Sequence, residues 1–240
     1  MLCFDAKQLL APRLLIPGRV PNEPVKLSPG NGDVDHFFLH GKDLARDRLP
    51  SYSTPTGRKI GPRGIGVILY RYYAAKLILP INTAYTFFVH FWSGAFVNQQ
   101  YGFILASVDG GNYFQFGPRW DGAGWSLTAA SNWSFYEIVS VKRRDSAGVE
   151  KRDHTIAVTV SATGSMSLYF DGKLDNTGSS AAAVNNNPYN AFYYGATGGS
   201  GNGNNAQGDI LYSLIKFGRA LSAAEILQLH LDPYQMLQAA

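Results

Sequence analysis

The chain is short of the residues that most chemistries need. It has 240 residues and one cysteine, Cys3. That excludes an intrachain disulfide and a cysteine-based zinc site, and it fits synthesis in a reducing compartment. There are four glutamates, Glu23, Glu137, Glu150 and Glu225, and no two are close in sequence. Retaining glycoside hydrolysis needs two carboxyl groups about 5–5.5 Å apart. A strand supplies such a pair from alternate residues. Only Asp33 and Asp35 have that spacing, inside a Gly-rich loop. No Gly-x-Ser-x-Gly elbow occurs, and the Gly199–Gly203 run lacks the lysine of a phosphate loop. The catalytic set is missing, so no enzyme is expected.

Long apolar runs are also missing. Nothing approaches the roughly 18 apolar residues of a membrane helix. The first eleven residues include Asp5 and Lys7 and do not read as a secretory signal. No block of sequence is duplicated, which argues against a repeat solenoid. The net charge is +4, with twelve Lys/Arg against six Asp/Glu before residue 81. These cations are scattered and form no run that would track phosphates. Neither a membrane nor a specific nucleic acid is expected as partner.

What is present is aromatic, turn-rich and alternating. Aromatic residues make up 13% of the chain, with 26 glycines and 12 prolines. That balance suits broad sheets. Met1–Gly32 carries Pro12, Pro17, Pro21, Pro24 and Pro29, each fixing φ and removing a donor. It reads as an extended arm whose clusters Leu9-Leu10 and Leu14-Leu15-Ile16 bury against its own domain or another subunit. Asp33–Ala240 reads as the folded domain. The 54–66 stretch reads as turns, and Val67–Leu79 as two short strands broken around Tyr72–Ala75. Ala84–Ser93 is apolar on both faces and belongs in the middle of a sheet. Hairpins are expected at 101–117, 125–141 and 154–170, followed by a tight Asp171-Gly172 turn. About twelve strands fit this pattern.

The closing segment, Gly208–Leu237, reads as strand, turn, capped helix and hook. Leu211, Ser213, Ile215 and Phe217 alternate with Ile210, Tyr212, Leu214 and Lys216. Ser222-Ala-Ala-Glu225 is a capping box, Leu221, Ala224, Ile226, Leu227 and Leu229 make an apolar stripe, and Pro233 stops the helix.

This segment resembles the closing signature of concanavalin A-like, laminin-G-like domains: a Gly-x-Ile strand followed by Arg-Ala-Leu-Ser-x-x-Glu-Ile. The hairpin HTIAVTVSATGSMSLYFDGKL and the strand AYTFFVHFW are similar to that family's strands. Asp232–Leu237 is similar to the ending of such domains in tailed-bacteriophage proteins. The resemblance implies an all-β, antiparallel two-sheet jelly-roll sandwich (concanavalin A-like), with one short C-terminal helix and an extended N-terminal arm. It also implies a non-enzymatic virion structural protein that decorates or reinforces capsid or tail. Its partners are then other virion proteins and further copies of itself, with Leu9, Leu10, Leu14, Leu15 and Ile16 as assembly contacts. The alternative is a carbohydrate-binding, host-attachment module. Trp120, Asp121, Trp125, Trp133 and Tyr136 are its candidate sugar contacts, set against plain cross-strand aromatic packing.

Other readings are weaker. His36 and His40 flank a strand-like run, so they do not share a helical face. His90, on an aromatic strand, reads as a satisfied core histidine. Asn202, Asn204, Asn205 and Asp209 offer oxygens for calcium with one charge among them, so no cofactor is expected.

Overall fold

The computed structural model describes residues 25–27, 33–39, 42–43, 45, 58–61, 64–67, 73–76, 83–92, 103–106, 113–120, 125–131, 136–139, 152–179, 191–194 and 210–239. Seventeen strands and one helix fall among the described residues. In chain order the strands are β1 (Val25–Leu27), β2 (Val34–Leu39), β3 (Lys42–Asp43), β4 (Arg58–Gly61), β5 (Gly64–Val67), β6 (Tyr73–Lys76), β7 (Tyr85–Trp92), β8 (Phe103–Ala106) and β9 (Tyr113–Trp120). Then come β10 (Trp125–Ser131), β11 (Tyr136–Val139), β12 (Asp153–Val160), β13 (Ser165–Phe170), β14 (Lys173–Ser179), β15 (Ala191–Tyr194) and β16 (Ile210–Phe217). Helix α1 (Ala223–Leu231) and β17 (Leu237–Ala239) close the chain.

These strands form two open antiparallel sheets and a short ribbon. The nine-stranded sheet runs β14-β13-β12-β7-β16-β2-β3, with β4 and β5 attached through β16. The six-stranded sheet runs β11-β10-β9-β8-β15-β6. β10 lies against β13 and β11 against β14, so the two sheets form layers of one sandwich. β1 and β17 pair as the ribbon.

The expected central strand is central. β7 lies between β12 and β16, and Tyr85 to Val89 are all buried. Register assigns its two faces. Tyr85, Phe87, Val89 and Phe91 share one with Val160, Val158, Ile156 and His154. Thr86, Phe88 and His90 share the other with Thr159, Ala157 and Thr155. On this second face Phe88, Ala157, Ile215, Phe217 and Phe37 form one cluster with Leu221, Ile226, Leu229, Met236 and Leu237. Helix α1 and the tail therefore cover the back of the sheet, as a latch.

The latch is fixed locally as the sequence suggests. Ser222 is the N-cap; its side chain accepts from the Glu225 amide, and the Glu225 carboxylate accepts from the Ser222 amide. Hydrogen bonds to Arg219 and Ser222 hold the Glu225 carboxyl down to about 2. Thr86 pins the preceding turn by donating to the Arg219 carbonyl (2.8 Å) and accepting from the Leu221 amide (2.9 Å). The apolar stripe is narrower than its spacing suggests. Leu221, Ile226 and Leu229 are buried, whereas Ala224 and Leu227 are exposed, because only one helix flank meets the sheet.

Tertiary pairing overrides local signals elsewhere. The turn-rich 54–66 stretch contains the β4–β5 hairpin, which docks on β16 through Ile65 and Gly66. One strand, β6, spans the expected break at Tyr72–Ala75 because β15 pairs across it. The strand count exceeds twelve for the same reason.

Bulges correct the expected alternation. In β16, Leu211 partners Phe91 and Ser213 partners His90, leaving Tyr212 as the extra residue. Leu211 thus moves to the face of Leu214, and Tyr212 turns to meet His90, opposite to the expected arrangement. Asp35 is the extra residue in β2, and its carboxylate takes the ammonium of Lys216, which is fully buried. Asp175 is the extra residue in β14. Each bulge re-aims a polar side chain that strict alternation would misplace. The Asp171-Gly172 turn is as expected: Asp171 has φ 48° and Gly172 φ 74°. A Cβ on Gly172 would come within 3.0 Å of both His230 and Leu227.

The arm is named by its outer part only here. Val25–Leu27 is a strand on the C-terminal ribbon, while Leu9, Leu10, Leu14, Leu15 and Ile16 lie outside the described residues.

Candidate functional site

The six-stranded sheet separates its residues by chemistry. Directly opposed residues of an antiparallel pair share a face. Register therefore places Trp120, Pro118, Phe116 and Phe114 of β9 with Trp125, Leu127, Ala129 and Ser131 of β10. Phe103 and Leu105 of β8 join them, then Phe192 and Tyr194 of β15, and Ile138 and Tyr136 of β11. The opposite face carries Tyr113, Gln115, Gly117 and Arg119 of β9 with Ser126, Thr128 and Ala130 of β10. Glu137 of β11, Ile104 and Ala106 of β8 and Tyr193 of β15 belong to it. One face is aromatic and aliphatic. The other, which also takes Val139 and Ala191, mixes polar residues with small and aliphatic ones and has two tyrosines on one side.

The sequence-predicted sugar contacts are divided by this arrangement. Trp120 and Trp125 are direct cross-strand partners at the end of the β9–β10 hairpin. Tyr136 is opposite Ser131, at the other end of β10. Six residue steps separate those ends, about 20 Å at the rise of an extended strand. Asp121 and Trp133 lie outside the described residues, in the connections at the two ends. One cluster in sequence thus becomes two places in the fold. The polar-face residues Tyr113, Gln115, Arg119, Thr128, Glu137 and Tyr193 were not selected from sequence. Their signal is the alternation of β9, Tyr-Phe-Gln-Phe-Gly-Pro-Arg-Trp, in which tryptophan belongs to the other phase.

A second polar cluster lies in the seam between the nine-stranded sheet and the latch. The His90 ring is 4.7 Å from Tyr212 and 5.6 Å from Tyr234, and His90 Nδ1 hydrogen-bonds the Tyr234 hydroxyl at 3.1 Å. The core-histidine expectation fits this placement. Tyr212 donates to Asp153 Oδ1 at 2.7 Å. Thr155 Oγ1 and His230 Nδ1 are 2.9 Å apart. Asp171 accepts from the Thr155 amide (2.9 Å) and pairs with His154 Nδ1 (2.9 Å). Burial pushes His90 down to about 4, with nearby Asp153 and Asp171 opposing and His230 reinforcing the shift. Burial also pushes the Tyr234 hydroxyl up. Burial alone would raise Asp171, but hydrogen bonds from His154 and the Thr155 amide hold it below the usual carboxylate range.

Among the described residues no cluster of three or more His, Cys, Asp or Glu is placed to hold a metal. His36 lies in β2 opposite Lys216. His40 and the calcium candidates Asn202, Asn204, Asn205 and Asp209 lie outside the described residues. Among the described residues no helix is long and apolar enough to cross a membrane.

Two open antiparallel sheets, one with a single apolar face and the other backed by a capped helix, define a lectin-like jelly-roll sandwich. Residues 72–227 match the laminin G-type family described as the concanavalin A-like lectin/glucanases superfamily, and the chain belongs to it. Three solved structures illustrate the likeness. Domain 4 of AbnA, a GH43 extracellular arabinanase from Geobacillus stearothermophilus in complex with arabinotriose, is 13% identical with TM-score 0.58, covering 82% of this chain and 98% of that one. The binding domain of Paraclostridial Mosquitocidal Protein 1 is 12% identical with TM-score 0.60, covering 85% and 53%. Trypanosoma rangeli sialidase, in complex with a difluorinated keto-deoxy-nononic acid, is 14% identical with TM-score 0.59, covering 96% and 38%. The chain spans about half of the second of these and under two fifths of the third. At such identities the likeness is one of fold. No curated protein matches the sequence.

Proposed function

We propose that the chain is a non-catalytic carbohydrate-binding module that takes glycan on the polar face of the six-stranded sheet. The contrast between that sheet's two faces carries the reading. The aromatic face is the one a sandwich buries. The other offers Tyr113 and Tyr193 to stack on the C–H face of a sugar ring. Gln115, Arg119, Thr128 and Glu137 offer donors and acceptors for its hydroxyls. A similar domain solved with arabinotriose supports the choice of ligand class. Sparse, scattered glutamates support binding without hydrolysis.

The test is a glycan array followed by calorimetric titration. Arg119→Ala and Tyr113→Ala abolish binding in this reading, while Trp120→Ala and Trp125→Ala retain any binding the folded variants show. Loss confined to the tryptophan variants moves the site to the hairpin end. Silence of the folded wild-type protein across the array counts against the reading.

A second reading is a virion structural protein, a homo-oligomer on a phage capsid or tail. The closing residues Asp232–Leu237 and the Pro-rich start favour it. The β1–β17 ribbon is compatible with it, since it ties the leading segment to the domain at Val25. Deleting residues 1–24 then abolishes particle binding with the fold intact. Retained binding argues against it.

A further inference from the structure

We infer that the C-terminal latch, residues 221–239, is released by acid: proton uptake by His90, in the seam between sheet and tail, loosens α1 and the tail and uncovers the apolar back of the nine-stranded sheet. The geometry puts a proton acceptor at the centre of the seam, near Asp153 and Asp171 but hydrogen-bonded to neither. His90 comes from β7 and its Nδ1 meets the Tyr234 hydroxyl of the tail. The titratable and charged groups around it come from every neighbouring element. Asp153 is on β12, Tyr212 on β16, Asp171 in the β13–β14 turn, His230 on α1, and Asp232 and Tyr234 in the tail.

Among the described residues no carboxylate hydrogen-bonds His90. Asp153 receives the Tyr212 hydroxyl, and Asp171 is engaged by His154 and the Thr155 amide. Burial is the largest influence on the ring, and a charged His230 opposes a charge on His90. Both imidazoles bridge the seam: His90 reaches from sheet to tail, and His230 from helix to Thr155. The hydrogen bond from the sheet to Tyr234 of the tail is thus made by the ring that acid alters. Latch opening exposes Phe88, Ala157, Ile215 and Phe217.

The direction follows from linkage. Freed from the seam, His90 takes up its proton near 6.5; in the closed latch it does so near about 4. Closed-latch stability is full above 6.5 and falls as pH drops from 6.5 to about 4. One proton linked this way raises the open population roughly 50-fold between pH 7 and pH 4.5. The capping carboxylate does not mimic this. Glu225 titrates between its ordinary 4.5 and about 2, so at pH 4.5 it shifts the open population only about twofold and most of its contribution is lost at lower pH.

The experiment is amide hydrogen exchange on the full chain at pH 7 and pH 4.5, corrected for intrinsic rates. Peptides from 223–237 should lose protection roughly 50-fold relative to peptides from β12 and β13. His90→Gln, which keeps an acceptor for Tyr234 and cannot titrate, should remove most of that difference. Equal acid sensitivity in wild type and His90→Gln overturns the inference, as does opening of β12 and β13 together with the latch, or no opening at all. If His90→Gln does not fold, an NMR titration of the wild-type ring decides. Uptake near pH 4 in step with latch opening supports the inference; uptake near 6.5, or a latch still protected at pH 4.5, overturns it.

Discussion

The nine-stranded sheet and the six-stranded sheet solve opposite problems. In the first, the central strands are covered on both sides, by the other sheet and by the latch, so Phe87 and Phe88 are neighbours in sequence and both fully buried. Polar groups enter that sheet where something re-aims or binds them: Asp35 and Tyr212 at bulges, and Lys216 against Asp35. In the second, register gathers most aromatic residues on one face and most polar residues on the other. The difference separates roles. A sheet packed on both sides supports, and the proposed function assigns recognition to the other sheet.

Substitutions sharpen or break that division. The largest effect is expected where the buried Lys216 ammonium meets the half-buried Asp35 carboxylate. Asp35→Asn leaves the Lys216 ammonium without its carboxylate and lowers unfolding free energy by about 3–5 kcal/mol, read from the denaturant midpoint. Adding Lys216→Met recovers most of the loss, since an apolar side chain of similar length replaces the charge. Ile226→Ala opens a cavity between latch and sheet and costs about 2–4 kcal/mol, again by denaturation. Ser222→Ala removes half of the capping box and costs about 1 kcal/mol, with the loss concentrated in exchange of the α1 amides. Arg119→Ala and Gln115→Ala on the polar face stay within about 0.5 kcal/mol of wild type in stability while reducing glycan affinity. If these last two destabilised the protein as Ile226→Ala does, the polar face would be structural and the division would fail.

Much of this was legible in the chain because it is local. The capping box needs only Ser222 and Glu225; the Asp171-Gly172 turn needs two adjacent residues that tolerate positive φ. The hairpins β8–β9, β10–β11 and β12–β13 join neighbours in sequence, and the apolar run of β7 announces a strand covered twice. What escaped is set by distant partners. β16 fits between β7 and β2 only with Tyr212 bulged out, and no pattern inside Gly208–Phe217 contains that. Among the sugar-site candidates, Tyr136 lies apart from the Trp120–Trp125 pair for a related reason. Residues Trp120 to Tyr136 are close in sequence, yet the length of β10 carries them to opposite ends of a sheet. The polar face was readable from β9 alone, but a search for tryptophan selects the apolar phase.

The ribbon at the base of the domain has a mechanical consequence. Val25 is opposite Ala239 and Leu27 opposite Leu237, so Val25 and Ala239 form the outer rung of the ribbon. Tension applied through those two ends would part the ribbon one rung at a time, as a zip opens, instead of loading all its rungs together. The sandwich can therefore hang from a single point, with a weak first link that yields under load before the body of the domain feels the pull.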